Sequence, residues 1–256
     1  MATLKGKVGV VTGATRGIGA AIALELARQG ASVLLVYTSE SSVELAEALI
    51  AEIEQFASGA KARGCKVDLS TVDAPQAILA ELDRWLGSDA RIDILVNNAG
   101  VEVRASLSDL KVADYDKAFN LNVRAPVLVT AALLPRLNDA NNRIINIGSV
   151  AGRVGLAPYG LYTASKAALE GLTRSWADEL GKNGTTVNQV NPGIVQTDML
   201  DKIPRKMVEM QKAQTPVENR VGTVQEIANT VAWLASPASS WISGQVISAS
   251  GGWAMY

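Results

Sequence analysis

The feature that most constrains this chain is an alternation, kept up along its length, of short uninterrupted apolar runs and longer segments of helical periodicity. Val8 to Val11, Ser32 to Val36, Ala62 to Val67, Ile92 to Asn97, Arg143 to Ile147, Thr186 to Val190 and Gln245 to Ser248 read as strands. Gly17 to Gly30, Ser41 to Phe56, Pro75 to Leu86, a long stretch ending near Leu137, Tyr159 to Gly181 and Val224 to Leu234 read as helices. Strands without a polar face, each followed by a helix, require a parallel sheet covered on both sides. The expected fold is α/β, a doubly wound and mostly parallel sheet of about seven strands with helices on both faces. No linker, repeat or low-complexity stretch interrupts residues 1–256, so one domain with a built-in substrate site is expected. Ser41 and Glu44 are spaced like a capping box. Pro126 predicts a kink or a later start in the long helical stretch. Residues 197–222, with Pro204 and Pro216 around a Met-rich pattern, are a candidate lid.

Thr12-Gly13-Ala14-Thr15-Arg16-Gly17-Ile18-Gly19 closes the first strand and opens the first helix. In that context glycines let the backbone approach a pyrophosphate, and the helix N-terminus faces its charge. The spacing is GxxxGxG rather than GxGxxG, and glycines also close ordinary strand-to-helix turns. A dinucleotide's 2′ position is read about 20 residues further on, where an acid favours NAD and basic surroundings favour NADP. Here the second strand ends Val36-Tyr37-Thr38-Ser39, with no acid at its end. Hydroxyls there, with Arg16 in the loop, suit a 2′-phosphate. NADP(H) is the preferred cofactor and NAD(H) stays open. Glu40 is near in sequence but reads as part of the next helix's first turn, and Arg16 could also be an ordinary solvated arginine.

The chain has no histidine, which excludes Ser-His-Asp triads, HExxH zinc sites and histidine bases. Cys65 is the only cysteine and reads as a small buried hydrophobe; no metal site is expected. A balance of 24 basic and 25 acidic residues offers no footprint for nucleic acid or an anionic membrane. No window approaches the ~18 uncharged apolar residues of a membrane span, so the chain reads as cytoplasmic. Proton transfer then falls to Tyr, Lys, Asp, Glu, Ser or Cys. Tyr162 and Lys166 share a helix face at i,i+4 spacing, and a nearby cation is what a phenol of pKa ~10 needs to work near neutrality. Ser149 follows the fifth strand, at the carboxyl end where open α/β sheets bind ligands.

With these residues the chain resembles the short-chain dehydrogenase/reductase family. The resemblance runs end to end: Thr12 to Gly19, Asp68, Asn97-Asn98-Ala99-Gly100, Asn122, Ser149, Tyr162/Lys166, Asn191-Pro192-Gly193, Arg220-Val-Gly222, Ser243-Gly244-Gln245 and Ser250-Gly251-Gly252. It implies a Rossmann-fold, nicotinamide-dependent oxidoreductase with the catalytic set Asn122, Ser149, Tyr162 and Lys166. Tyr162 would protonate a carbonyl oxygen or deprotonate the alcohol. Lys166 would lower the tyrosine pKa and bond the nicotinamide ribose, Ser149 would bond the substrate oxygen, and Asn122 would hold a water that relays protons to Lys166. The implied cofactor contacts are Gly13, Thr15, Arg16, Gly17, Ile18 and Gly19 in the loop, and Tyr37, Thr38 and Ser39 at the 2′ end. Asp68 and Leu69 would lie at the adenine, Asn98, Ala99 and Gly100 along the fourth strand end, and Tyr162, Lys166, Pro192, Gly193, Ile194 and Thr197 around the nicotinamide. Asp68 could equally cap a helix, and Asn97 and Asn98 could merely brace turns. The Tyr37-Thr38-Ser39 segment lacks the arginine often found beside a 2′-phosphate in this family.

Expected substrate walls are Val101 to Arg104, Val150 to Pro158, and Ile194 to Met210. Their apolar members, Gly152, Val154, Gly155, Leu156, Met199, Leu200, Ile203, Met207 and Met210, suit a medium-sized, partly hydrophobic ketone; Arg104, Arg153, Asp198 and Asp201 are interspersed. A methionine stripe at helical spacing fits core packing better than a wall. Three functions stay open: an NADP-dependent carbonyl reductase, an NAD-dependent alcohol dehydrogenase, and an NADP-binding scaffold or sensor without turnover. Family resemblance implies a homotetramer or homodimer, and the Trp253-Ala-Met-Tyr256 tail is apolar enough for a subunit contact.

Overall fold

A computed structural model describes residues 3–138, 140–198, 200 and 203–256. Met199 and Asp201 of the expected walls lie outside the described residues. The strands are β1 (Val8–Thr12), β2 (Ser32–Tyr37), β3 (Ala62–Lys66), β4 (Ile94–Asn97), β5 (Arg143–Ile147), β6 (Thr186–Pro192) and β7 (Val246–Ala249). They form one sheet in the order β3-β2-β1-β4-β5-β6-β7, and every pairing is parallel. The helices are α1 (Gly17–Arg28), α2 (Val43–Glu54), α3 (Ala74–Leu86), α4 (Val112–Phe119), α5 (Ala125–Leu133), α6 (Gly160–Leu180), α7 (Arg205–Gln214) and α8 (Val224–Ala235).

Successive strand residues point to opposite faces, and both faces of the central strands are buried, whereas edge strand β3 leaves Arg63 and Lys66 exposed. Val11, Leu35, Ile94 and Ile145 pack with Ile22 and Leu26 of α1 and Ile227 and Val231 of α8. Val10, Leu34, Leu95 and Ile144 pack on the other side with Ile78 and Leu82 of α3 and Val129 and Leu133 of α5. This is why β1, β2 and β4 carry no polar alternation. Each fully buried side chain of this size contributes ~1.5–3 kcal/mol relative to exposure.

Three local readings change. Ser41 does not cap α2; a short 3-10 turn over Glu40–Ser42 precedes that helix, and the Ser41 and Ser42 hydroxyls both bond that of Ser39 instead. The long stretch ending near Leu137 is broken into α4, a π-helical turn over Asn120–Arg124, α5 and a 3-10 turn over Leu134–Arg136. Pro126 has no N–H for the carbonyl four residues back, and the widened turn before it absorbs the mismatch. Residues 112–136 are also long and apolar enough to span a membrane by composition, contrary to the sequence reading. They form a core segment of this domain instead, with Val129 and Leu133 at 1% exposure packed against the sheet.

A chain of buried polar side chains crosses the carboxyl half of the sheet. Asn97, Asn146 and Gln189 occupy paired register positions on β4, β5 and β6. Asn97 donates to Asn146 at 2.9 Å and to Thr130 at 3.2 Å; Asn146 donates to Thr173 at 2.8 Å; Gln189 donates to Asn191 at 2.7 Å. Each is under 4% exposed, and each has its partners, as buried amides must.

Candidate active site

β1 has β2 on one side and β4 on the other, so the chain crosses over at their carboxyl ends and leaves a crevice there. A cavity of about 820 Å³ occupies it. The glycine loop forms its floor. Gly13 and Gly17 hold positive φ of 65° and 54°, and a Cβ at Gly19 would overlap the Gly13 carbonyl and the Asn98 amide. α1 starts at Gly17, its N-cap residue Arg16 makes no capping side-chain bond and its first turn holds no acid, so its N–H groups suit an anion. Those two facts fit a pyrophosphate. The Thr12 hydroxyl accepts from the Asn98 and Ala99 amides at 2.9 and 3.0 Å, and the Asn98 side chain donates to the Thr12 and Gly13 carbonyls.

All of the expected cofactor residues line this one cavity: Gly13, Thr15, Arg16, Gly17, Ile18, Gly19, Tyr37, Thr38, Ser39, Asp68, Leu69, Asn98, Ala99, Gly100, Tyr162, Lys166, Pro192, Gly193, Ile194 and Thr197. At the far end Arg16 donates to Ser42 at 2.8 Å, and Ser42 bonds Ser39 at 2.7 Å. Glu40 is drawn off into an ion pair with Lys66. Asp68 lines the cavity and also accepts from the Ser70 amide at 2.9 Å, so its carboxylate stabilises the turn after β3.

Ser149, Tyr162 and Lys166 meet at the other end. Ser149 begins a 3-10 turn over Val150–Arg153, and its hydroxyl accepts from the Ala151 amide at 3.1 Å. Tyr162 and Lys166 are one turn apart on α6. Burial pushes the Tyr162 phenol up to about 12; a hydrogen bond from Ser149 opposes this and the Glu102 carboxylate adds to it. Lys166, 4% exposed, donates to the Ile147 carbonyl at 2.9 Å, and burial brings its ammonium down to about 8. Its Nζ stands 5.8 Å from the Tyr162 ring centroid. Desolvation is the largest influence on the Tyr162 phenol in this arrangement.

Asn122 stands behind the cavity wall. Within the π-helical turn its side chain accepts from the Val101 amide at 2.8 Å and donates to the Val101 carbonyl at 2.9 Å and to Ser165 at 3.0 Å. The side-chain amide thus braces the strand end beyond Gly100.

Val101, Glu102, Val150, Val154, Leu156, Asp198, Leu200 and Ile203 line the substrate end, but Arg104, Gly152, Arg153, Gly155, Met207 and Met210 do not. Met210 is neither wall nor core, being 49% exposed. The sequence reading missed Trp253 and Gln211 as walls. Gly251 and Gly252, at φ 61° and 85°, turn the tail back towards α7, where the Trp253 indole donates to Gln214 at 3.2 Å; the Ser250-Gly251-Gly252 run was the available signal.

A family model described as "Enoyl-(Acyl carrier protein) reductase" (adh_short_C2) matches residues 13–254. A short-chain dehydrogenase/reductase, FrzI of Cladobotryum sp, is 41% identical over 98% of this chain and 96% of its own length. The chain belongs to the short-chain dehydrogenase/reductase family. The 3-oxoacyl-acyl-carrier-protein reductase FabG of Pseudomonas aeruginosa is 39% identical over 98% of both chains. Among solved structures, a blue fluorescent protein from a metagenomic library, in complex with NADPH, superimposes with a TM-score of 0.91 at 39% identity, covering 99% of this chain and 100% of that one. The family is NAD(P)-dependent, and its members act on small carbonyl substrates.

The cradle sets a concrete expectation. Gly19→Ala forces the loop away from Asn98, so the dissociation constant for NADPH rises by more than about tenfold, read by quenching of protein fluorescence.

Proposed function

We propose that this oxidoreductase reduces a ketone of a medium-sized, partly hydrophobic molecule to an alcohol, using NADP(H). The observation that carries the reading is the meeting of Ser149, Tyr162 and Lys166 in one cavity, with the phenol held protonated. When bound, the nicotinamide supplies the hydride. Ser149 donates a hydrogen bond to the substrate oxygen, and Tyr162 gives its phenolic proton to the same oxygen as negative charge builds there. Lys166, buried and charged at neutral pH, stabilises that charge and, through Ile147, stays fixed beneath the site. A phenol raised to about 12 by burial carries its proton at neutral pH, so the proton needed at the carbonyl oxygen is present on Tyr162.

NADP over NAD is supported by the charge balance at the 2′ end. Arg16 and the Ser39–Ser42 hydroxyls are donors there, and Lys66 compensates Glu40, the acid next in sequence to the β2 end. The chain acts as one domain spanning 1–256, with residues 197–222 as a lid over the substrate end; Thr197, Asp198, Leu200, Ile203 and Gln211 on the cavity support this. A cytoplasmic setting agrees with a single, buried, unpaired Cys65. Leu107, Val112 and Tyr115 before and on α4, and Trp233 and Trp241 on and after α8, are exposed apolar residues that a homotetramer or homodimer would cover.

Tyr162→Phe is expected to abolish ketone-dependent NADPH oxidation while NADPH binding stays intact, and full activity in that variant would end the proposal. Wild-type binding of NADPH without oxidation across a broad ketone panel would instead favour the scaffold. In wild type, kcat/KM for reduction is flat below neutrality and falls as Lys166 loses its proton above about pH 8, whereas Tyr162 stays protonated to about 12. Arg16→Ala is expected to weaken NADPH binding about tenfold and leave NADH unchanged, by titration of each cofactor. Light scattering should return two or four times the 26.9 kDa of one chain, and the mass of one chain would rule the oligomer out.

A further inference from the structure

Arg153, Glu170, Asn191 and Tyr256 come from four separate parts of the chain and meet in one cluster beside the site. Glu170, 6% exposed, accepts from Arg153 Nε at 2.7 Å and, through its other oxygen, from Asn191 Nδ2 at 2.9 Å. Asn191, fully buried, also donates to the Tyr256 hydroxyl at 2.8 Å. The Arg153 guanidinium lies 4.0 Å above the centre of the Tyr256 ring. None of the four lines the cavity, yet each is chained to a group that does. Arg153 ends the 3-10 turn that Ser149 begins, Glu170 is one helical turn beyond Lys166, and Asn191 immediately precedes Pro192 and Gly193.

We propose that Tyr256 is a positioning residue that latches the Ser149 turn to the end of β6, by holding Arg153 on Glu170 and anchoring Asn191. The inference rests on the reading of Ser149, Tyr162 and Lys166 given above. A four-residue 3-10 turn has poor hydrogen-bond geometry of its own and needs an outside anchor. The anchor is Arg153, whose edge is taken by Glu170 and whose face is taken by the Tyr256 ring. Directly before Ser149, Gly148 rests on the amides of Gln189 and Asn191, where any side chain would overlap them. A shift of Asn191 is therefore passed to the backbone carrying the Ser149 hydroxyl. Glu170 adds a penalty for release, since a buried carboxylate that loses its guanidinium is left uncompensated.

The variants Tyr256→Leu, which removes ring and hydroxyl, and Tyr256→Phe, which keeps the ring over Arg153, test this in the full chain. The first readout is amide hydrogen exchange without substrate, at Ala151 and Gly152, whose N–H groups bond to Ser149 at 3.1 and 3.0 Å. Tyr256→Leu is expected to speed exchange there by about tenfold, with Tyr256→Phe between it and wild type and the rest of the sheet unchanged. The second is ketone reduction with NADPH and its 4-deuterated form. Tyr256→Leu should lower kcat by about fivefold, raise the isotope effect on kcat and leave the NADPH dissociation constant unchanged. Unaltered exchange at Ala151 and Gly152, or faster exchange spread over the whole sheet with a lowered Tm, would overturn the latch. Local acceleration in a protein that reduces no ketone even as wild type would uphold the latch and sink the reductase reading.

Discussion

The site depends on the junction of β1 and β4. Two strands that start parallel and adjacent send their chains to opposite faces of the sheet, and the gap between their ends must be held open without being filled. Thr12 and Asn98 do this. One hydroxyl accepts two successive amides from the β4 end, and one side-chain amide donates to two successive carbonyls of the glycine loop. Two amides and two carbonyls that the crossover would strand are thereby satisfied, and the loop is fixed with its glycines on the crevice. The same tight contact explains why no Cβ fits at Gly19. Loop shape and strand pairing are one constraint.

The other half of the site is carried by polar groups inside the sheet. An apolar core could have filled the positions of Asn97, Asn146 and Gln189, and shape alone would have been met. The amides instead tie β4, β5 and β6 in register through Thr173 on α6, the helix that bears Tyr162 and Lys166. A slip of that helix against the strands breaks bonds that no water can replace in a dry interior, which is costly for each group left unpaired. Tyr162 and Lys166 therefore inherit their placement from side chains that do not line the cavity.

The layout of the fold could be read from residue patterns because both faces of the central sheet are buried, so strands such as Val8–Thr12 and Ser32–Tyr37 stand out as short, mostly apolar runs bounded by turns. The cavity-lining set was readable for a similar reason: glycines with positive φ and strand-end hydroxyls are local signals. What escaped depended on distant partners. Ser41 and Glu44 had the spacing of a capping box, but Ser39 and Ser42 bond within a turn that Arg16, from another element, completes. Trp253 looked like a piece of an apolar tail until the turn at Gly251 and Gly252 set it on the cavity, and Tyr256 in the same tail bonds Asn191. Met207 and Met210 had the period of a wall or a core and belong to neither the cavity lining nor the buried core.

The π-helical turn at Asn120–Arg124 shows how a local irregularity becomes useful. An ordinary helix through Pro126 would press its ring on the Asn122 carbonyl. Widening the turn relieves that contact, and the Ala125 amide reaches back five residues to Asn120. The cost is a poorer hydrogen-bond ladder in that turn. It is offset by the Asn122 side chain, which makes three bonds of 2.8 to 3.0 Å to Val101 and Ser165. Those bonds join the β4 end to α6 directly behind Gly100, where both Asn122 Oδ1 and Lys166 Nζ stand 3.3 Å from where a Cβ would be. The widened turn, the missing side chain at Gly100 and the buried ammonium are thus parts of a single fit, and a side chain at Gly100 would press on both Asn122 and Lys166.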